Sequence, residues 1–426
     1  MAILSSQLRN RLSDILSKWR KWIKTVVMLI YGCFILLLIP KLIIQSFHSK
    51  KDSDPAVFIG GFFAVLTIPI SLVEIIQHMI HYSRPPLQLH IIRILWMVPI
   101  YTLNAWMGII YPDQTIYMDS FRECYEAYVI YNFMMYLLNY LNAEGDFEVQ
   151  LTSKPQVNHM FPFCWLKPWK MGRELVHNCK HGILQYTVVR PLTTAIALLC
   201  DLFGVYGEGE FVGNKAFLYI IAVNNCSQFM AMYCLVLFYQ ANREQLRPMK
   251  PIGKFLCIKA VVFFSFFQGV LIAVLVYTDV LSSVLHTDDD ATKTMSAKIQ
   301  NFLLCIEMFL AAIAHHYSFS HKPYVDGLLQ HQSLCETLMA MWDLRDVQDN
   351  IKEHFTVVGS GLKRARSETS PLLADVSRSV ESGYHSFTDL INHASGSVVD
   401  GEQGPSDAEV PDMELSHTDE HDSTVA

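Results

Sequence analysis

The chain has 426 residues, of which 51% are hydrophobic and only 17% charged. The apolar residues are gathered into long runs, which is the pattern of membrane spans and argues against a soluble globular protein. The formal net charge of −7 divides unevenly: residues 1–321 hold 26 Lys/Arg against 21 Asp/Glu, and residues 322–426 hold 7 against 19.

In chain order, "MAILSSQLRNRLSDILSKWRKWIK" opens the sequence. It is a basic, amphipathic lead-in over 1–22, without the short apolar core and small-residue cleavage site of a signal peptide. A bilayer core of about 30 Å needs about 20 helical residues. Runs that meet this length lie at 23–46, 56–79, 91–111, 118–141, 183–204, 214–239, 254–280 and 297–319. The fourth run, "SFRECYEAYVIYNFMMYLLNYL", is ambiguous on hydropathy because its first turns carry Arg122, Glu123 and Glu126. The distribution of cations decides it. With eight spans and the N-terminus inside, the inner segments hold fourteen Lys/Arg and the outer loops three. Removing the fourth span moves the Lys-rich segment 142–182 outside and most of the bias disappears. The expected fold is therefore an all-α bundle of about eight transmembrane helices at 23–321, with both termini cytosolic. Pro40, Pro69 and Pro99 lie in or near span interiors, so neighbouring groups must satisfy the carbonyls they free. Trp19, Trp22, Trp96, Trp106, Tyr111 and Tyr117 fall near span ends, as in an aromatic belt.

Ionisable groups inside hydrocarbon are expensive and should face a wet interior. Span four has Asp119, Arg122, Glu123 and Glu126; span six has Asn224, Asn225 and Gln228; span seven has Lys259 and span eight Glu307. We take Glu123, Glu126, Asn224, Asn225, Gln228, Lys259 and Glu307 as candidates to line a solute pathway. Glu307 has no partner at i±3 or i±4, and Lys259 is the cation expected to meet it. Any one of these residues could instead be structural glue. Glu74, His78 and His81 share one helix face and could hold a proton. A metal is not expected there, because three ligands on one face seldom converge. The sequence shows no cofactor motif, nucleophile triad, phosphate loop or nucleic-acid motif, so no enzyme is expected. The ten cysteines do not form a disulfide framework; six sit within apolar runs as small hydrophobes.

The strings "RILWMVPIY", "ECYEAYVIYNF", "LQYTVVRP", "AMYCLVLFY", "PIGKFLCIKAVVFFSF" and "CIEMFLAAIAHHYSF" resemble the transmembrane protein 184 family, within the organic solute transporter subunit alpha group. The resemblance covers roughly residues 20–350. It implies a seven-span core corresponding to spans two to eight, with the first span as an addition. It also implies transport of an organic, amphipathic solute, with a single-span partner subunit or a homo-oligomer. A cysteine run that is an acylation site in the alpha subunit is reduced here to Cys164. Receptor function is described within the same branch, so a receptor or a trafficking or growth-signalling scaffold is the alternative.

Beyond the spans, 322–358 has apolar residues at helical spacing and reads as a juxtamembrane amphipathic segment. It could lie along the inner leaflet or pack under the bundle. The Ser-rich acidic remainder, 359–426, is too polar to fold alone. Within it, Glu368 precedes Leu372 and Leu373 in the form read by clathrin adaptors. Tyr384 to Phe387 is the tyrosine-based counterpart, and Ser367 is a candidate phosphorylation site. These motifs place the protein at the plasma membrane or in endosomal and lysosomal membranes.

Overall fold

The computed structural model describes residues 19–48, 55–143, 145, 147–207, 215–278, 289–325, 339–341 and 343–360. Among the described residues there are helices, turns and loops but no strand. The principal helices are α1 (Trp19–His48), α2 (Pro55–Ile80), α3 (Pro85–Leu95), α4 (Met97–Ile110), α5 (Thr115–Asn142), α6 (Phe147–Thr152), α7 (Arg173–Leu202), α8 (Ala216–Ala241), α9 (Arg243–Leu246), α10 (Pro251–Tyr277) and α11 (Asp289–Ser318). A further helix, α12, occupies 345–360. The sorting and phosphorylation candidates Ser367, Glu368, Leu372, Leu373, Tyr384 and Phe387 lie outside the described residues.

Among the described residues, six helical segments are long and apolar enough to cross a membrane: Pro55–Ile80, Pro85–Ile110, Arg173–Leu202, Ala216–Ala241, Pro251–Val276 and Met295–Tyr324. At 1.5 Å per residue even the shortest, with 26 residues, reaches about 39 Å. Their outward faces keep large apolar side chains such as Phe62, Leu192, Leu199, Phe263 and Leu271 exposed, which is favourable only in lipid. α5 has 28 residues, enough length, but it is not among the six. Its buried surface explains why. Ala127, Val129, Ile130, Tyr131, Phe133 and Met134 are all buried where α5 packs against α3, α4 and α7. A helix held this way meets other helices rather than lipid, so its sequence can carry more polar groups.

α11 packs on α2, α4 and α10, and α2 also packs on α4; α7 and α8 form a second, closely joined pair. α5 connects these two groups. Small residues set the close approaches. A Cβ on Gly182 would stand 2.3 Å from Cys234 Sγ across the α7–α8 seam, and one on Gly60 would stand 2.8 Å from Ile109 Cδ1 between α2 and α4.

The prolines behave as their chemistry requires. Pro69 has no N–H for the Val65 carbonyl, and the Tyr31 hydroxyl of α1 donates to that oxygen at 2.6 Å. Pro99 leaves the Leu95 carbonyl unmatched, and the helix expected at 91–111 is divided there into α3 and α4 at Trp96. This span also starts earlier than the sequence pattern suggests, at Pro85, with proline in the first turn where its missing donor is harmless. α7 starts at Arg173 rather than 183, directly after Gly172, whose φ of 102° suits glycine. Trp106 is not part of an interfacial belt. It is buried, with its indole N–H donated to the Val57 carbonyl at 3.2 Å and its ring against Gly61.

Residues 1–354 form the first of two compact units. In the first unit, the segment after the bundle is packed against it through residues 341–354. Arg93, buried in α3, donates to Asp346 at 2.8 Å and to the Asp343 carbonyl. Asn350 donates to the Tyr131 hydroxyl of α5 at 2.5 Å. Lys180 of α7 donates to Glu353 at 2.9 Å. Met341 and Val347 are buried beside these anchors.

Candidate functional site

A cavity of about 370 Å³ opens between α4, α5, α7, α8, α10 and α11. Its polar wall comes from Arg122, Glu123, Glu126, Arg190, Asn224 and Gln228, with Asn225, Ser265 and Gln300 beside them and Tyr101 and Tyr186 as aromatic walls. α5 presents Arg122, Glu123 and Glu126 within little more than one turn, so all three reach the same side of the bundle.

Each charge meets an opposite one from nearby or from another helix. Glu123 is ion-paired with Arg190 of α7. Glu126 accepts from Lys259 of α10 at 2.5 Å and from Gln228 of α8 at 3.4 Å. Arg122 pairs with Asp119 one turn back at 3.3 Å, and Asn104 of α4 donates to the same carboxylate at 3.0 Å. Asn224 accepts from Thr193 of α7 at 2.6 Å. Pairing of this kind is what allows charges to be retained away from water.

Five of the seven pathway candidates, Glu123, Glu126, Asn224, Asn225 and Gln228, line the cavity directly. Lys259 adjoins it through Glu126, and Glu307 adjoins it through Ser265, which donates at 3.4 Å. The expected Lys259–Glu307 pair does not form. The antiparallel register of α10 and α11 places Cys257 Sγ 3.0 Å from the Ser318 hydroxyl, and Ser265 and Gln268 opposite Glu307. Lys259 is therefore about two turns from the Glu307 level and turns instead to α5.

Glu74 and His78 of α2, with His81 directly after it, are remote from this cavity's lining and form a second cluster with the end of α11. Glu74 is almost fully buried. It receives the His321 backbone N–H at 2.8 Å, and its two oxygens lie 2.9 Å from His321 Nδ1 and 2.8 Å from His316 Nδ1. His78 Nε2 bonds the Phe319 carbonyl at 2.7 Å, and His81 stacks on His321. The face read from sequence is thus completed by His316 and His321. Among the described contacts, no polar link joins this cluster to the cavity. Cys164 is exposed in the segment between α6 and α7, and the cysteines among the described residues are all unpaired.

With this geometry in place, the family comparison is informative. The profile of the family described as Organic solute transporter Ostalpha matches residues 56–324. The chain belongs to this family. It is also similar to Protein LAZ1 homolog 1 of Arabidopsis thaliana, 33% identical over 282 residues, which is 62% of this chain and 57% of the relative. The chain thus matches less than two thirds of that relative's length. No solved structure matches. All of the cavity residues fall within the Ostalpha match, as does the Glu74 cluster; α1 and α12 lie outside it.

Two features of this Ostalpha-family protein were not anticipated from the sequence. Arg190 and Arg122 are as much a part of the cavity as the acids they neutralise. The histidines of α7, His177 and His181, meet Glu353 of α12. The first had a signal in the sequence, since arginine at the start of an apolar run needs a carboxylate. The second joins residues more than 170 positions apart and had none.

Proposed function

We propose that this Ostalpha-family protein carries an organic, amphipathic solute across a membrane by alternating exposure of the cavity between α4, α5, α7, α8, α10 and α11. The observation that carries the reading is the cavity itself: a volume of about 370 Å³, in the range of small-molecule sites, lined by paired charges and amides from separate helices. Arg122, Arg190 and Lys259 supply cations that could exchange a protein carboxylate for a solute's anionic group. Tyr101 and Tyr186 offer apolar surface to its body. Glu307, held by Ser265 and Gln268, borders the same space.

In this reading eight helices cross the bilayer, the six apolar segments together with α1 and α5. Support for α5 comes from the direction of its charges, which turn to Arg190 and Lys259 rather than outward. Both termini are then cytosolic. Plasma or endosomal and lysosomal membranes, a single-span partner subunit or a second copy, and clathrin adaptors bound by the tail complete the proposal. The test is flux in vesicles reconstituted with the full chain and a panel of amphipathic anions. Glu307→Gln should abolish uptake while leaving protein abundance unchanged, and Lys259→Ala should abolish it when equal amounts of folded protein are reconstituted. Uptake equal to that of the unaltered protein in both variants would overturn the assignment of this pathway. Absence of uptake by the unaltered protein, with activity lost instead on truncation after Val358, would favour the scaffold alternative.

A further inference from the structure

α7 begins with "RELVHNCKHG", which places His177 and His181 four residues apart on one helix face. Their rings meet edge to face with centroids 4.1 Å apart. Across from them α12 brings Glu353, and the three residues offer donor atoms that all lie within 4.8 Å of one another. Two independent details show that this is more than a surface cluster. His181 is 8% exposed, so its ring is more than nine-tenths buried, yet its Nε2 has no hydrogen-bond partner and points toward Glu353 Oε1 at 3.9 Å. The other ring nitrogen, Nδ1, lies 3.1 Å from His354 Nδ1. When His181 donates its Nδ1–H to His354, its Nε2 carries a lone pair directed at the carboxylate. That tautomer and that second partner are how a metal-binding histidine is normally oriented.

We propose that His177, His181 and Glu353 bind a divalent transition-metal cation, Zn²⁺ by the chemistry of the donors, and that the ion fastens α12 to the first turns of α7. Two imidazoles and a carboxylate are a common three-ligand set for Zn²⁺. Bonds of about 2.1 Å in a tetrahedral site put donors about 3.4 Å apart, so the present cluster must contract slightly. Glu353, the exposed member, is free to make that movement and also gives the ion access from solvent. Lys180 holds Glu353 Oε2 at 2.9 Å, and this leaves Oε1 facing the histidines. The residues between the histidines are Asn178, Cys179 and Lys180. No glutamate follows the first histidine, so the hydrolytic base of the HExxH arrangement is missing, and a structural or regulatory ion fits the site better than a catalytic one.

The experiment uses the full chain in lipid nanodiscs, with no histidine tag, titrated calorimetrically with Zn²⁺ and spectroscopically with Co²⁺. The expected result is one ion per chain, with a visible Co²⁺ spectrum of tetrahedral type. Glu353→Gln, which keeps the side chain's size and its acceptor for Lys180, and His177→Ala should each weaken binding by tenfold or more. His354→Ala should cost about tenfold through loss of orientation. Zn²⁺ should slow hydrogen exchange over residues 345–354 in the unaltered protein but not in Glu353→Gln. Failure to bind, or binding that Glu353→Gln and His177→Ala leave unchanged, overturns the site. Binding that leaves exchange over 345–354 unaltered overturns the fastening role.

Discussion

The Glu126–Lys259 pair sets a measurable expectation. Replacing Lys259 with Met removes the cation that lies 2.5 Å from Glu126 Oε1, and does so where both side chains are largely buried, 13% and 10% exposed. At an effective dielectric constant near 20, unit charges about 3.5 Å apart attract by about 5 kcal/mol, before the cost of removing both from water. Gln228 remains at 3.4 Å and offers one weak replacement donor. The single substitution should therefore destabilise by about 3 kcal/mol, as breaking one side of a buried pair does. Adding Glu126→Gln removes the stranded charge, and the double variant should recover to within about 1 kcal/mol of the unaltered protein. The coupling energy is then about 2 kcal/mol or more. Reversible denaturation in mixed micelles, followed by tryptophan fluorescence on all four proteins, measures it. A coupling energy near zero would refute the argument, since it would mean that each charge is solvated independently of the other.

Two other outcomes follow from packing. Tyr31→Phe withdraws the hydroxyl that serves the Val65 carbonyl freed by Pro69, so the same denaturation assay should show a loss of about 1 kcal/mol; no loss would mean that another group satisfies this oxygen. Gly182→Ala drives a methyl into Cys234 Sγ and should destabilise the α7–α8 seam by about 1–3 kcal/mol. Cys234→Ala in the same chain should recover most of this, and absence of any rescue would show that the glycine is needed for another reason.

Much of the architecture was legible in the sequence because lipid imposes a simple rule. A run of apolar residues must be long enough to cross and must keep its backbone bonded within itself. The requirement that prolines find surrogate donors was equally legible, although the identity of Tyr31 as the donor was not. The proposed crossing of α5 rests on the cation bias of the flanking segments, because its own hydropathy reflects contact with protein. The cavity's residue types were readable one helix at a time. Their pairing was not, since it depends on the register of α10 against α11. An offset of about two turns puts Lys259 beside Glu126 rather than Glu307, and no residue on either helix announces that offset. The same limit hid His321 from the Glu74 cluster and Glu353 from the α7 histidines.

The partners of α5 also have a timing. Arg190 is synthesised 67 residues after Glu123, and Lys259 follows Glu126 by 133 residues. At about 5–20 residues per second, the second interval lasts about 7–27 s. For the eight-helix arrangement proposed above, α5 must emerge from the ribosome with Asp119 and Arg122 paired locally but with Glu123 and Glu126 lacking these later counter-ions. Central charges each cost about 2.5–3.5 kcal/mol on insertion as an isolated helix. Such a segment has reason to linger in the aqueous translocation channel or beneath a chaperone until α7 and α10 arrive. Biogenesis of this chain would then include a late, collective step in which α5 enters the bilayer only after α10 has been translated.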